Sequence, residues 1–159
     1  MPLDPIMNPF FNSTERFKSL FLEAEDWCGT PFVPHGAIKH VGADCVGLVA
    51  GIYLALGALK EFQPGSYSMD EGVHLENSKV LAWLNARREF VKVSGEDAFL
   101  LQPGDTICFH LGRVEHHVGL FLGEGKFIHA LPQRFAMITD LRNSYYSRRI
   151  TAIYRPQEI

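Results

Sequence analysis

Val41-Gly42-Ala43-Asp44-Cys45-Val46-Gly47-Leu48-Val49-Ala50-Gly51-Ile52-Tyr53-Leu54-Ala55-Leu56-Gly57 is the stretch whose reading decides the architecture of this chain. From Val46 to Leu56 the residues are apolar or glycine on nearly every side, and a helix with no polar face belongs in the middle of a domain. Gly57 is a natural stop. Asp44 is a good N-cap, its carboxylate taking unpaired backbone N–H groups of the first turn. Cys45 then falls in that first turn, where the helix dipole and the unpaired N–H groups favour a thiolate, the nucleophilic form of cysteine. A buried, inert cysteine near a helix start is the plain alternative. The choice between them rests on what the rest of the chain supplies. Gly47 and Gly51 lower helix propensity, so close approach by another element is their expected reason.

Working outward, Ser13 and Thr14 can cap a first helix that runs to about Cys28. Phe17, Leu20, Phe21, Ala24 and Trp27 form one apolar stripe on it. Gly29-Thr30-Pro31 ends that helix, and a polar loop leads to Ala43. After the central helix, Glu61 to Glu76 contains Pro64-Gly65-Ser66 and reads as a surface excursion. A third helix is expected from about Ser78 to Phe90, with Val80, Leu81 and Leu84 inward and Arg87-Arg88-Glu89 outward. The hydrophobic period then changes to two. Strands are expected at Thr106–His110, His116–Leu122, Lys126–Ala130, Ala136–Leu141 and Ile150–Tyr154. Helices first and short antiparallel strands after them mean an α+β fold rather than α/β.

The hairpin between His117 and His129 can be counted. A three-residue loop at Gly123-Glu124-Gly125 pairs Leu122 with Lys126 and Gly119 with His129, so that both histidines share a face; a plain two-residue loop separates them. Gly119 opposite His129 is expected to leave room for the rings. This gives a nucleophile, a base and an orienting group in Cys45, His117 and His129. An imidazole takes the thiol proton, and a third polar group holds that imidazole in the useful tautomer. The Cys45 N–H is a donor for a developing oxyanion. Taken singly, each histidine reads more readily as an ordinary hydrogen-bonded strand residue; it is the joint arrangement with a helix-start cysteine that argues for chemistry.

Composition sets the frame. The chain has 159 residues, 47% of them hydrophobic and 21% charged, with a net charge of -3 and a pI near 6.1. We expect a single domain over 1–159, with 1–12 as an N-terminal extension. The charge argues against a nucleic-acid binder or a basic membrane-surface protein, and no apolar run reaches the length of a membrane span. Met1-Pro2-Leu3-Asp4-Pro5 lacks a basic region and an apolar core, so no secretory signal is expected. Cys28, Cys45 and Cys108 form no CxxC pair, which points away from a disulfide framework or a zinc ribbon, and no cofactor is expected. A zinc site from Cys108, His110, His116 and His117 lacks paired short spacings. His35, His40 and His74 fall in loops.

Trp27-x-Gly29-Thr30-Pro31-Phe32, Asp44-Cys45-x-Gly47, Pro103-Gly104-Asp105, His117-Val118-Gly119-x-Phe121-x-Gly123 and Phe127-Ile128-His129-Ala130 together resemble the NlpC family of cell-wall cysteine peptidases. The longer Phe32–Ala43 loop resembles the branch encoded beside phage and prophage tail genes. The resemblance implies a papain-like fold without a metal and hydrolysis of an amide in the peptide stem of peptidoglycan. Cys45 matches the nucleophile, His117 the base and His129 the third polar residue. Phe32, His35 and Asp44 are the expected substrate-side residues, and Phe32 stands where many relatives have a tyrosine. The partners implied are the stem peptide and other tail proteins. Synthesis in the cytoplasm without a signal peptide would then be followed by action in the cell wall or periplasm on a tail-like particle. The rivals are a structural tail-assembly protein with little activity and a thiol acyltransferase or amidase on the same fold.

Overall fold

The computed structural model describes residues 7–63, 79–112 and 114–159. Along the chain come α1 (Thr14–Trp27), β1 (Ala37–Ile38), β2 (Gly42–Ala43), α2 (Cys45–Leu56), α3 (Lys79–Ala86) and β3 (Phe90–Lys92). A 3-10 turn (Ala98–Leu100), β4 (Thr106–Leu111), β5 (Val114–Gly123), β6 (Lys126–His129), β7 (Met137–Asp140), α4 (Ser144–Ser147) and β8 (Ile150–Pro156) follow. The order of helices before strands does give an α+β fold. A six-stranded antiparallel sheet runs β3-β8-β4-β5-β6-β7.

The central helix forms as its sequence dictates. Asp44 caps it, the carboxylate accepting from Gly47 N at 2.8 Å, and Gly57 ends it at φ 83° with its N–H on the last carbonyls. Cys45 to Tyr53 are all buried, while Leu54 and Ala55 emerge at the last turn. Both helix glycines mark close crossings. A Cβ on Gly51 would lie 2.4 Å from the Trp27 ring of α1, and one on Gly47 would lie 1.8 Å from the carbonyl oxygen of Gly36. α1 packs along a narrower stripe than its pattern suggests. Leu20, Ala24 and Trp27 are buried, whereas Phe17 and Phe21 sit at the rim.

The sheet has two apolar faces. One packs on α1 and α2 through Cys108, Val118, Leu120, Ile128, Ala152 and Tyr154. The other gathers Ile107, Phe109, Phe121, Phe127, Leu141 and Ile153. The Pro103-Gly104-Asp105 turn ties the layers together. Tyr53 of α2 donates to the Gly104 carbonyl at 2.6 Å, and buried Asp105 accepts two hydrogen bonds from Arg155 of β8.

Three expectations are revised. The third helix stops at Ala86, because Phe90 gains burial by pairing with β8 as the first residue of β3. Its expected start at Ser78, the excursion from 64 onward and His74 lie outside the described residues. The loop from Phe32 to Ala43 contains the small hairpin β1–β2, pinned to α1 by Lys39 against Glu23 and Asp26 at 2.6 and 2.7 Å. Finally, the β5–β6 connection is a two-residue turn at Glu124-Gly125, with Gly123 paired to Lys126 and the register shifting between Phe121 and Gly123. Glu124 and Gly125 have positive φ, as such turns require, and so does Gly123 before them. Leu122 is the extra residue, and this bulge restores the phase that a plain two-residue turn would invert.

Candidate active site

The residues that could do chemistry converge where α2 begins and β5 meets β6. Asp44 is held on every side. Its N–H donates to the Gly36 carbonyl at 3.2 Å, its carboxylate accepts from His35 N at 2.7 Å and from Gly47 N, and its carbonyl accepts from Leu48 N. This clasp fixes the first turn of α2 and the Cys45 side chain with it. The Cys45 thiol is fully buried. Main-chain N–H groups of Val118, Val46 and Cys45 itself favour the thiolate. Burial outweighs them, and with the charge of Asp44 it pushes the thiol up to about 12. Burial thus opposes the ready thiolate expected at the helix start, and desolvation exceeds the help of the main-chain N–H groups.

Gly119 pairs with His129 as the count requires, so His117 and His129 share a face. His117 Nε2 and His129 Nδ1 lie 2.8 Å apart, and His129 Nε2 lies 2.9 Å from Thr139 Oγ1 of β7. Both rings are buried among Phe109, Phe127 and Tyr146. The space at Gly119 is taken by the Phe127 ring, which a Cβ there would meet at 2.8 Å, and not by the imidazoles. Burial holds His129 down at about 4, with the positive Arg134 adding to it, and burial holds His117 well below the usual histidine range. Both imidazoles are neutral at pH 7. With His117 Nε2–H donating to His129 Nδ1 and His129 Nε2–H donating to Thr139, His117 Nδ1 carries a lone pair.

Val118, between these rings in sequence, faces the other way, toward α2. The thiol is thus set against β5 beside the residue that follows His117. Among the described residues no hydrogen bond joins Cys45 Sγ to the His117 ring. Phe32 packs at the edge of the helix-side core with its N–H on the Arg134 carbonyl, and exposed His35 is engaged through its backbone by Asp44. Neither makes a hydrogen bond to Cys45, His117 or His129 among the described residues. The described His, Cys, Asp and Glu side chains contain no group of three placed to hold a metal ion.

The NlpC/P60 family matches residues 29–155, which include every one of these side chains. The chain belongs to the NlpC/P60 family. It is 24% identical over 135 residues to a probable endopeptidase of Haemophilus influenzae, covering 84% of this chain and 70% of that protein. Against the gamma-DL-glutamyl hydrolase of Bacillus subtilis it is 29% identical over 135 residues, 84% of this chain but 28% of the relative. Among solved structures, the NlpC/p60 domain of the peptidoglycan hydrolase SagA superposes with a TM-score of 0.55 at 17% identity, covering 89% of this chain and 98% of that one. RipD of Mycobacterium tuberculosis, described as a non-catalytic NlpC/p60 domain protein adapted to peptidoglycan binding, superposes with a TM-score of 0.53 at 16% identity, covering 87% and 95%. These structural likenesses carry the NlpC/P60 fold alone.

One participant escaped the sequence reading. Thr139 closes the hydrogen-bond chain behind His129. Its signal was parity: Met137 pairs with His129, so Thr139, two residues on, shares that face.

Proposed function

We propose that this NlpC/P60 chain is a cysteine endopeptidase that hydrolyses an amide bond in the peptide stem of peptidoglycan. The observation that carries the reading is the chain from His117 through His129 to Thr139, beginning at the residue before Val118, whose main-chain N–H favours the Cys45 thiolate. Two buried histidines in direct contact, both neutral, are a costly arrangement for mere packing. In the proposed reaction His117 Nδ1 takes the Cys45 proton as Sγ attacks the amide carbonyl, and the Cys45 N–H donates to the oxyanion. His117 returns that proton to the departing amine as the C–N bond breaks, leaving a thioester on Cys45. Water, deprotonated by His117, then releases the acid and restores the thiol. His129 is the positioning residue, keeping the His117 lone pair on Nδ1.

Because the thiol starts protonated, the proton moves with the attack rather than before it, and substrate binding must bring sulfur and imidazole together. Mass spectrometry of purified stem peptides incubated with the protein, beside a Cys45→Ala control, tests the reading. New fragments absent from the control are expected; intact peptides in both samples overturn it.

The full burial of Cys45 and the lack of a thiol–imidazole hydrogen bond favour a second reading, a wall-binding protein that does not hydrolyse. Sedimentation with murein without any cleavage would support it. We also propose delivery to the wall on a phage-tail-like particle. Its support is the sequence resemblance of the long Phe32–Ala43 segment, and copurification with such particles from induced cells tests it.

A further inference from the structure

On the face of the sheet turned away from α2, a groove of about 670 Å³ opens between the Glu96–Phe99 segment and the chain running from the end of β7 into α4. Phe121 and Leu141 form its apolar floor, and its rims carry opposite charges, Glu96 and Asp97 on one segment and Arg142 and Arg148 on the other. Two of these charges are already engaged. Arg142 is chelated by Asp140, and Asp97 caps the 3-10 turn by accepting from Phe99 N. Glu96 and Arg148 form no ion pair among the described residues. On the same segment as Glu96, Phe99 stands 97% exposed, a large ring held in water at the lip of a cavity. An exposed aromatic beside unmatched charges of both signs is a recognition surface for a ligand that brings both counter-charges and some apolar contact.

We propose that this groove binds a short peptide bearing a free carboxylate and a free amine, the carboxylate on Arg148, the amine at Glu96 and the aliphatic part against Phe99. Resting on the peptidoglycan reading above, the source of that peptide is a stem of the wall polymer other than the one being cut. The separation follows from the lining: the groove residues include none of Cys45, His117, His129 and Thr139, and Cys45 and Val118 lie on the α2 side of the sheet. A second grip on a polymer of repeated stems raises the local concentration of the next scissile bond without altering chemistry at the first.

The test is sedimentation of Cys45→Ala protein with purified sacculi, beside the same protein carrying Phe99→Ser and Arg148→Glu. Both side chains are exposed, so the variant is expected to keep its melting temperature. Half-saturation should move about tenfold to higher sacculus concentration, the usual loss when an aromatic anchor and its charged neighbour are removed. Soluble stem peptide should release the bound protein, and peptide-free glycan strands should not. With Cys45 intact, the double variant should cut soluble stem peptide at the unaltered rate. Equal sedimentation of both proteins, or release by glycan alone, overturns the inference. If no peptide is ever cut yet sedimentation still depends on Phe99 and Arg148, the hydrolase reading falls and the groove stands; cutting with no variant effect on sedimentation sinks the groove alone.

Discussion

Cys45 is where the opposing forces can be weighed. Three main-chain N–H groups favour its thiolate, and burial with Asp44 opposes them and wins, at about 12. Alkylation by iodoacetamide should accordingly be slow at pH 7 and climb about tenfold per pH unit to beyond pH 9, because only the thiolate reacts. A plateau near neutrality would show a thiolate already formed. Thr139 offers the companion test. Thr139→Val removes the partner of His129 Nε2, frees that ring to take its other tautomer, and should lower kcat about tenfold with KM unchanged. Stability should fall by about 1 kcal/mol, the usual net worth of one hydrogen bond. Thr139→Ser, which keeps the hydroxyl, should recover most of the rate.

At the scale of elements, the first turn of α2 and the loop above it are one unit. Gly47→Ala drives a methyl into the Gly36 carbonyl, which is backbone and cannot swing aside. We expect a loss of about 2–4 kcal/mol, measured by urea denaturation, as the Asp44 clasp breaks. The central helix and its cap were legible because an unbroken apolar run between a capping aspartate and a glycine admits few other readings. The histidine hairpin was legible because pairing parity is strict, although the turn itself was misjudged; one bulged residue did the work assigned to a longer loop. β1–β2, β3 and α4 were not legible. Each is two to four residues long, and each depends on a partner distant in sequence or on a local cap such as Asn143 over Tyr145 N. The ionisation of Cys45 was misread for a related reason, since the depth of burial is a property of the assembled fold and leaves no local mark.

For the molecule as a whole, the buried histidines couple folding to pH. Their folded pKa values are lowered, His129 to about 4 from 6.5, so the unfolded chain binds their protons first. Their contribution is complete above about 6.5 and is lost as pH falls toward 4, with His129 alone giving on the order of 3 kcal/mol. Thermal melts should drop over that window, and His129→Asn should flatten the drop. Cys45 and Cys108 act at the other end. Both are raised from 9.0 to about 12, so stability present below about 9 is lost as pH rises through that interval. Melts of the Cys45→Ala protein between pH 9 and 12 should decline less steeply than those of the parent. The hydrogen-bond chain behind His117 has a consequence for anyone who would transplant the proposed chemistry. Its members come from β5, β6 and β7, so the smallest portable piece is a three-stranded block with both turns and the bulge at Leu122, carried together with the opening turn of α2. Moving the two histidines alone into another scaffold would transfer the residues and leave their tautomers behind.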